Sequence, residues 1–399
     1  MYKIDENVHK EKYTLLIPAT IDMHYPLIKY MFWSKNYRVE VLDNTEDIIG
    51  TGLKYANNEM CFPFILMVGQ VINALRSCKY DLSRTRLLMP AAGDACRGAC
   101  YIGSLRRALD KADLGECKVL TINVRHIEED ANLDITLDMG IRGLYGLFYS
   151  DILMLLVNQV RPYEINKGEA EKLWQKWTDK AADDLKAGKN LKRKVLFENF
   201  DRICADFEKI ERTREPKKKV GIVGEFYAKY CGLGNWNVVD YIEKCGMETH
   251  TNGLSWYVLY YIDTHTPDKA GIEQSAFMFA RRLVLDWQNK MIATLQRHGF
   301  YTLPNIDVLR EGSKDYVSEN LENGDGWLLG TEVIGHINHD CKRVLCIAPF
   351  GCMANVCAGR GLYPYLKRCF PESIISTVEP DASGSTGNYF NRVQILLSQ

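Results

Sequence analysis

Thirteen cysteines are spread over the 399 residues, and six of them stand where loops can do chemistry. Cys61 lies in the polar turn Asn57-Asn58-Glu59-Met60-Cys61-Phe62-Pro63, ahead of a predicted helix. Cys96 and Cys100 lie in PAAGDACRGAC (90–100), directly after an expected strand. Cys231 lies in the glycine loop Tyr230-Cys231-Gly232-Leu233-Gly234. Cys352 and Cys357 lie in PFGCMANVC (349–357), again after an expected strand. In open α/β sheets, ligands bind outside the carboxyl ends of the strands. Thiolates suit zinc, copper(I) and iron–sulfur clusters. A structural zinc site normally offers two close cysteine pairs. Here no C-x-x-C is present, and the close pairs Cys96/Cys100 and Cys352/Cys357 fall in different halves of the chain. Spacing alone leaves zinc and iron–sulfur level.

The other seven cysteines read as small buried or incidental residues, the ordinary behaviour of a free thiol. They are Cys78, Cys117, Cys204, Cys245, Cys341, Cys346 and Cys369. Arg97, Glu225 and Asp94 lie beside the cysteine loops, where they could donate protons or simply pair. His336-x2-His339-Asp340 lacks a third ligand at short range, so a structural role is expected. Ser383-Gly384-Ser385-Thr386-Gly387 lacks the lysine of a phosphate loop and reads as a turn and helix cap. Gly232-x-Gly234 lacks the third glycine of a dinucleotide fingerprint.

The elements that must position these loops alternate between strand and helix. YTLLIP (13–18), YRVEVL (37–42), TRLLMP (85–90) and CKVLTI (117–122) predict strands, with helical patterns over 25–33, 64–76 and 103–111. Such alternation predicts a parallel sheet with helices on both faces. From about residue 168 to 219 the chain is rich in charge. Leu196, Phe200, Ile203, Phe207 and Ile210 recur there at spacings of four and three, one face of a helix. A second α/β unit starts at VGIVGE (220–225), with further strands over 344–348 and 373–378 and a long helical pattern over 272–298. The expected class is α/β, with two doubly wound units over 1–160 and 219–399 joined by a helical connector over 161–218.

Fifty basic residues balance fifty-one acidic ones, which gives no argument for nucleic acid or an anionic membrane as partner. The opening Met1-Tyr2-Lys3-Ile4-Asp5-Glu6-Asn7 is polar, and the apolar stretch 143–157 is interrupted by Asp151. A cytoplasmic protein without a membrane span is expected. In a reducing compartment, cysteines at about 3% of residues point to metal binding or catalysis rather than disulfides.

The segments GLKYANNEMCFPFILMVGQ (52–70), DACRGACY (94–101) and PFGCMANVCAGRG (349–361) resemble subunits of the 2-hydroxyacyl-CoA dehydratase and benzoyl-CoA reductase family. The likeness is strongest to its activase-related and double-cubane branch. It extends to LLIPATIDMHYPLIKYMF (15–32), VGIVGEFYAKY (220–230) and the end of the chain through Asn391-Arg392. The resemblance implies Rossmann-like domains with an iron–sulfur cluster in the cleft between them. Cys61, Cys96 and Cys352 match the family's three cubane ligands. A separate ATP-hydrolysing iron–sulfur activator is implied as the electron donor, with a small-molecule substrate. A homodimer is the family expectation and accords with the prevalence of two-fold oligomers.

The chain departs from the three-cysteine pattern. Cys100, Cys231 and Cys357 supply a second trio. Three plus three gives two cubanes three thiolates each, and the resemblance then implies a double-cubane (8Fe-9S) cluster. The alternatives are a dehydratase-like subunit with one 4Fe-4S cluster, and a non-catalytic electron-transfer or maturation component.

Overall fold

The computed structural model describes residues 13–34, 36–57, 59–89, 95–122, 133 and 135–399. The expectation placed on Asp94 lies outside the described residues.

The first sheet holds β1 (Tyr13–Ile17), β2 (Tyr37–Val41), β3 (Thr85–Leu88) and β4 (Lys118–Leu120), in the order β2-β1-β3-β4. The second holds β5 (Lys219–Gly224), β6 (Glu248–Thr251), β7 (Arg343–Ile347) and β8 (Ile374–Val378), in the order β6-β5-β7-β8. Every pairing in both is parallel. The chain is therefore mixed α/β with two four-stranded parallel sheets of the same strand order. In each, the first strand is flanked by the second on one side and the third on the other. The loops leaving the first and third strands then diverge over a crevice at the carboxyl edge.

β6 was not expected from the sequence. Its residues Glu248-Thr249-His250-Thr251 are polar and show no apolar run, yet all four are buried. Local partners make this tolerable. The Tyr163 hydroxyl donates to Glu248 Oε2 at 2.6 Å, and His250 Nε2 lies 2.9 Å from Glu248 Oε1. Buried polar groups persist in a sheet when they find such partners.

The helix Phe62–Arg76 opens with Cys61 at its N-cap and Pro63 in its first turn, where the missing N–H costs nothing. It is apolar nearly all round and lies inside the first unit's core. The helices Glu169–Ala187 and Arg193–Glu208 occupy the charged segment. Leu196, Phe200, Ile203 and Phe207 are fully buried there, so the apolar stripe faces the core and the charges face water.

The helix Leu137–Val160 ties the molecule together. It is long and apolar enough to cross a membrane by length and composition, but 72% of its apolar window is buried within the protein. It begins six residues before the apolar stretch 143–157, in a mostly exposed segment, and runs on through Asp151, whose carboxylate is satisfied internally. Asp151, fully buried, accepts from the backbone amides of Leu254 (2.6 Å) and Ser255 (2.9 Å) and lies 2.8 Å from His24 Nε2. It thereby caps the helix Leu254–His265 in the second half and holds a histidine of the first.

Candidate functional site

Loops from both halves meet at Cys61, Cys96 and Cys352. The Phe62 amide donates to the Phe350 carbonyl at 3.0 Å, joining the Cys61 turn to the loop after β7. Arg97, next to Cys96, donates through Nε to the Glu59 carbonyl (2.9 Å) and through Nη1 to the Gly351 carbonyl (2.6 Å). One guanidinium thus clasps the turn before Cys61 and the residue before Cys352. Gly351 has φ +75°, and a Cβ there would come within 3.0 Å of the Cys61 Cα. Both the backbone conformation and the close approach require glycine. On the other side, a Cβ on Gly324 would meet Ala354 at 2.8 Å and Cys96 Cβ at 3.7 Å.

Each of these three sulfurs has a hydrogen-bond partner. Cys61 Sγ lies 2.9 Å from the Tyr101 hydroxyl. Cys96 Sγ accepts from the Gly98 amide at 3.2 Å. Cys352 Sγ accepts from the Asn355 amide (3.5 Å) and from Asn355 Nδ2 (3.4 Å). Burial, reinforced by nearby Glu225, pushes the Cys61 thiol up despite the opposing Tyr101 contact. Burial with Glu225 and Asp325 pushes Cys352 well above the ordinary thiol value, against the Asn355 donors. Tyr101 is also held well above its ordinary value, by burial and then by Cys61. It stays protonated, so it donates whenever Cys61 is a thiolate.

Carboxyl groups lie behind the sulfurs. Glu225, the N-cap residue after β5, accepts from the Ala228 amide at 2.9 Å. Burial pushes it up to about 7. Asp325 is raised well above the carboxylate range by burial and by Glu225. Deeper still, Lys229 Nζ donates to both oxygens of Glu332 (2.6 and 2.8 Å), and Asn252 Nδ2 donates to the same carboxylate at 3.1 Å. Two buried acids, Asp325 and Glu332, and the partly buried Glu225 face one buried lysine. In a low-dielectric site such an excess is relieved by protons or by a cation.

The second trio is placed differently. Cys231 is fully buried, its Sγ 3.6 Å from the Ala19 carbonyl after β1, and it packs in the same apolar cluster as Cys61. Burial and then Asp22 push it up to about 12. Asp22 Oδ2 accepts from the Gly232 amide at 2.7 Å, and the Asp22 amide donates to the Tyr230 carbonyl at 3.1 Å. The loops after β1 and β5 are thus joined, as are those carrying Cys61 and Cys352. Cys100 is exposed, and the segment Arg97–Cys100 is a 3-10 turn. The α-helix starts only at Tyr101, so Cys96 and Cys100 do not share a face of one α-helix. Cys357 is exposed on the π-helical turn Asn355–Arg360.

Among the glycine amides of these loops, that of Gly98 reaches Cys96 and that of Gly234 lowers the Cys231 thiol, while that of Gly232 is taken by Asp22. His336 is buried inside the helix Gly326–Asn338, and His339 Nδ1 lies 2.9 Å from the Gly335 carbonyl. Ser383 bonds Asp381 in a turn ahead of the final helix. Tyr101, Asn355, Asp325 and the Lys229–Glu332 pair were not anticipated. Tyr101 and Asn355 do lie within the cysteine motifs, beside Cys100 and three residues after Cys352.

Among the described residues, no group of three or more His, Cys, Asp or Glu side chains could hold a single metal ion. A zinc site needs four ligands around one point, whereas the thiolates of a cubane each reach a different iron. The chain matches no protein-family model, and none of the curated proteins matches it.

Proposed function

We propose that this chain is an iron–sulfur protein of the reductase type. Two Rossmann-like, doubly wound units would hold the cluster between them. A separate ATP-hydrolysing iron–sulfur activator would reduce it, and a small-molecule substrate would receive the electrons. The observation that carries the reading is the convergence of Cys61, Cys96 and Cys352, from both halves, each sulfur furnished with a hydrogen-bond partner. These three would hold one cubane; Cys100, Cys231 and Cys357 would hold a second in the double-cubane form. When bound, such a cluster supplies one-electron transfer at a potential set by charge, solvent access and hydrogen bonds to sulfur.

The chain's own residues supply the rest. Burial of Cys61 and Cys352 keeps water from the sulfurs. Tyr101, Gly98 and Asn355 orient the thiolates and lower their electron density. The Glu225 carboxyl can hold a proton in the buried space and release it on demand. Arg97 fixes the two halves relative to each other at the site.

A second reading is a dehydratase-like subunit with one 4Fe-4S cluster and a 2-hydroxyacyl-CoA substrate. It is favoured by the exposure of Cys100 and Cys357, against the tight stitching of the first trio. A pure electron carrier is the non-enzymatic form of the same reading. Iron and sulfide analysis of anaerobically purified protein tests the proposal. About four irons per chain selects one cubane and about eight selects two. A colourless protein carrying one zinc overturns both. Turnover with reductant, ATP and activator separates enzyme from carrier. The same preparation reports whether the chain is a homodimer.

A further inference from the structure

We propose that the amino-terminal edge of the second sheet, away from the loops that carry Cys61, Cys96 and Cys352, is a binding site for a phosphate-class anion. A depression of about 530 Å³ opens there, lined by Arg212, Arg214, Lys219, Glu248, Phe300 and Tyr301 among others. Lys219 and Glu248 are the first residues of β5 and β6, so the site lies at the strand ends opposite Glu225. The six residues of β5 separate it from the cysteine loops by roughly 20 Å at about 3.3 Å per residue.

The charges are arranged to stay available. The Arg212 guanidinium rests 5.4 Å from the centre of the Phe300 ring, and Lys219 Nζ rests 4.9 Å from that of Tyr301. Aromatic faces hold cations in place without neutralising them. Among the described residues, neither cation nor Arg214 has a carboxylate at salt-bridge distance. The depression's one acid, Glu248, is 7% exposed and already committed to Tyr163 and His250. Three cations therefore face solvent against one buried carboxylate.

The backbone beneath them is fixed. Glu164 and Arg212 form an antiparallel bridge, the Ile165 amide donates to the Glu211 carbonyl at 3.0 Å, and the Thr213 amide donates to the Tyr163 carbonyl at 2.8 Å. In an extended segment, Arg212 and Arg214 fall on one face while Glu211 and Glu215 fall on the other. Planar guanidinium groups on such a scaffold match the paired oxygens of a phosphate or diphosphate. The volume admits a small organic phosphate as well as the free anion.

Calorimetric titration of the intact protein with inorganic pyrophosphate, at fixed ionic strength, tests the site. One saturable event per chain is expected, weakened about tenfold by Arg212→Gln and again by Lys219→Gln. Lys194→Gln, on an exposed helix face, should leave it unchanged. Thermal melts of each variant report whether the fold is kept. Adenosine diphosphate binding more tightly than pyrophosphate assigns the site to an organic phosphate; equal binding assigns it to the free anion. Absence of saturable binding, or binding that all three variants leave unchanged, overturns the proposal.

Discussion

The Tyr101 hydroxyl lies 2.9 Å from Cys61 Sγ, although forty residues separate the two in sequence. Burial favours the protonated phenol, whose O–H can then be donated to a Cys61 thiolate. Donors to ligating sulfur raise a cluster's potential by withdrawing charge. For the proposed cluster, Tyr101→Phe should therefore shift the midpoint potential to a more negative value while leaving iron content intact. A redox titration followed by electron paramagnetic resonance measures this. An unchanged potential in a fully loaded variant would remove the role assigned to Tyr101.

On the proposed reading each of these thiolates ligates iron, so replacing Cys61, Cys96 or Cys352 by alanine should strip most of the iron. Cys78→Ala, at an exposed position, and Cys369→Ala, at a partly exposed one, should not. Iron per chain across the five variants is the measurement. Equal loading in all five would reject the ligand set.

Arg97→Met removes two hydrogen bonds from a guanidinium to backbone carbonyls on either side of the site. Hydrogen bonds to charged groups are worth about 1.5–3 kcal/mol when fully formed. Partial exposure of Arg97 lowers the expected total to about 2 kcal/mol, read as a lower urea midpoint. Arg97→Lys should recover little, since one ammonium cannot replace a planar fork reaching two carbonyls. A midpoint equal to that of the parent chain would show that the clasp contributes nothing.

Glu248 gives a pH dependence with a definite sign. Burial pushes it up, but His250, Tyr163 and Lys219 outweigh that, and the net shift is below its ordinary value of 4.5. A group depressed on folding adds stability above its unfolded pKa and loses it as pH falls through the folded one. Glu248→Gln should therefore cost stability at neutral pH, and the gap should close below about pH 4.5. Denaturant melts from pH 7 to 3 follow the gap. A constant difference across that range would contradict the assignment.

The parallel strands with apolar cores, such as β1 and β7, were legible because burial on both faces demands runs like YTLLI and RVLCI. β6 was illegible because ETHT is made acceptable by Tyr163, eighty-five residues from Glu248. The turns holding Cys61, Cys96 and Cys352 could be read from their position after strands or before a helix. Their mutual approach followed from the family resemblance alone and not from spacing, since it depends on Arg97 reaching carbonyls at Glu59 and Gly351. Cys100 shows the limit of spacing. A spacing of four places two residues on one face only inside an α-helix, whereas Cys96 caps and Cys100 ends a 3-10 turn and the α-helix begins at Tyr101, after both.

Asp151 has a consequence for how the chain is made. Its carboxylate caps a helix whose first residues lie more than a hundred positions later, and it also holds His24. While the polypeptide is still emerging from the ribosome, that acid has no amides to accept from. The helix Leu137–Val160 therefore waits, incompletely satisfied, until Leu254 and Ser255 have been synthesised. A nascent chain halted before that point should be readily cut by protease within 137–160, and one halted well beyond it should resist.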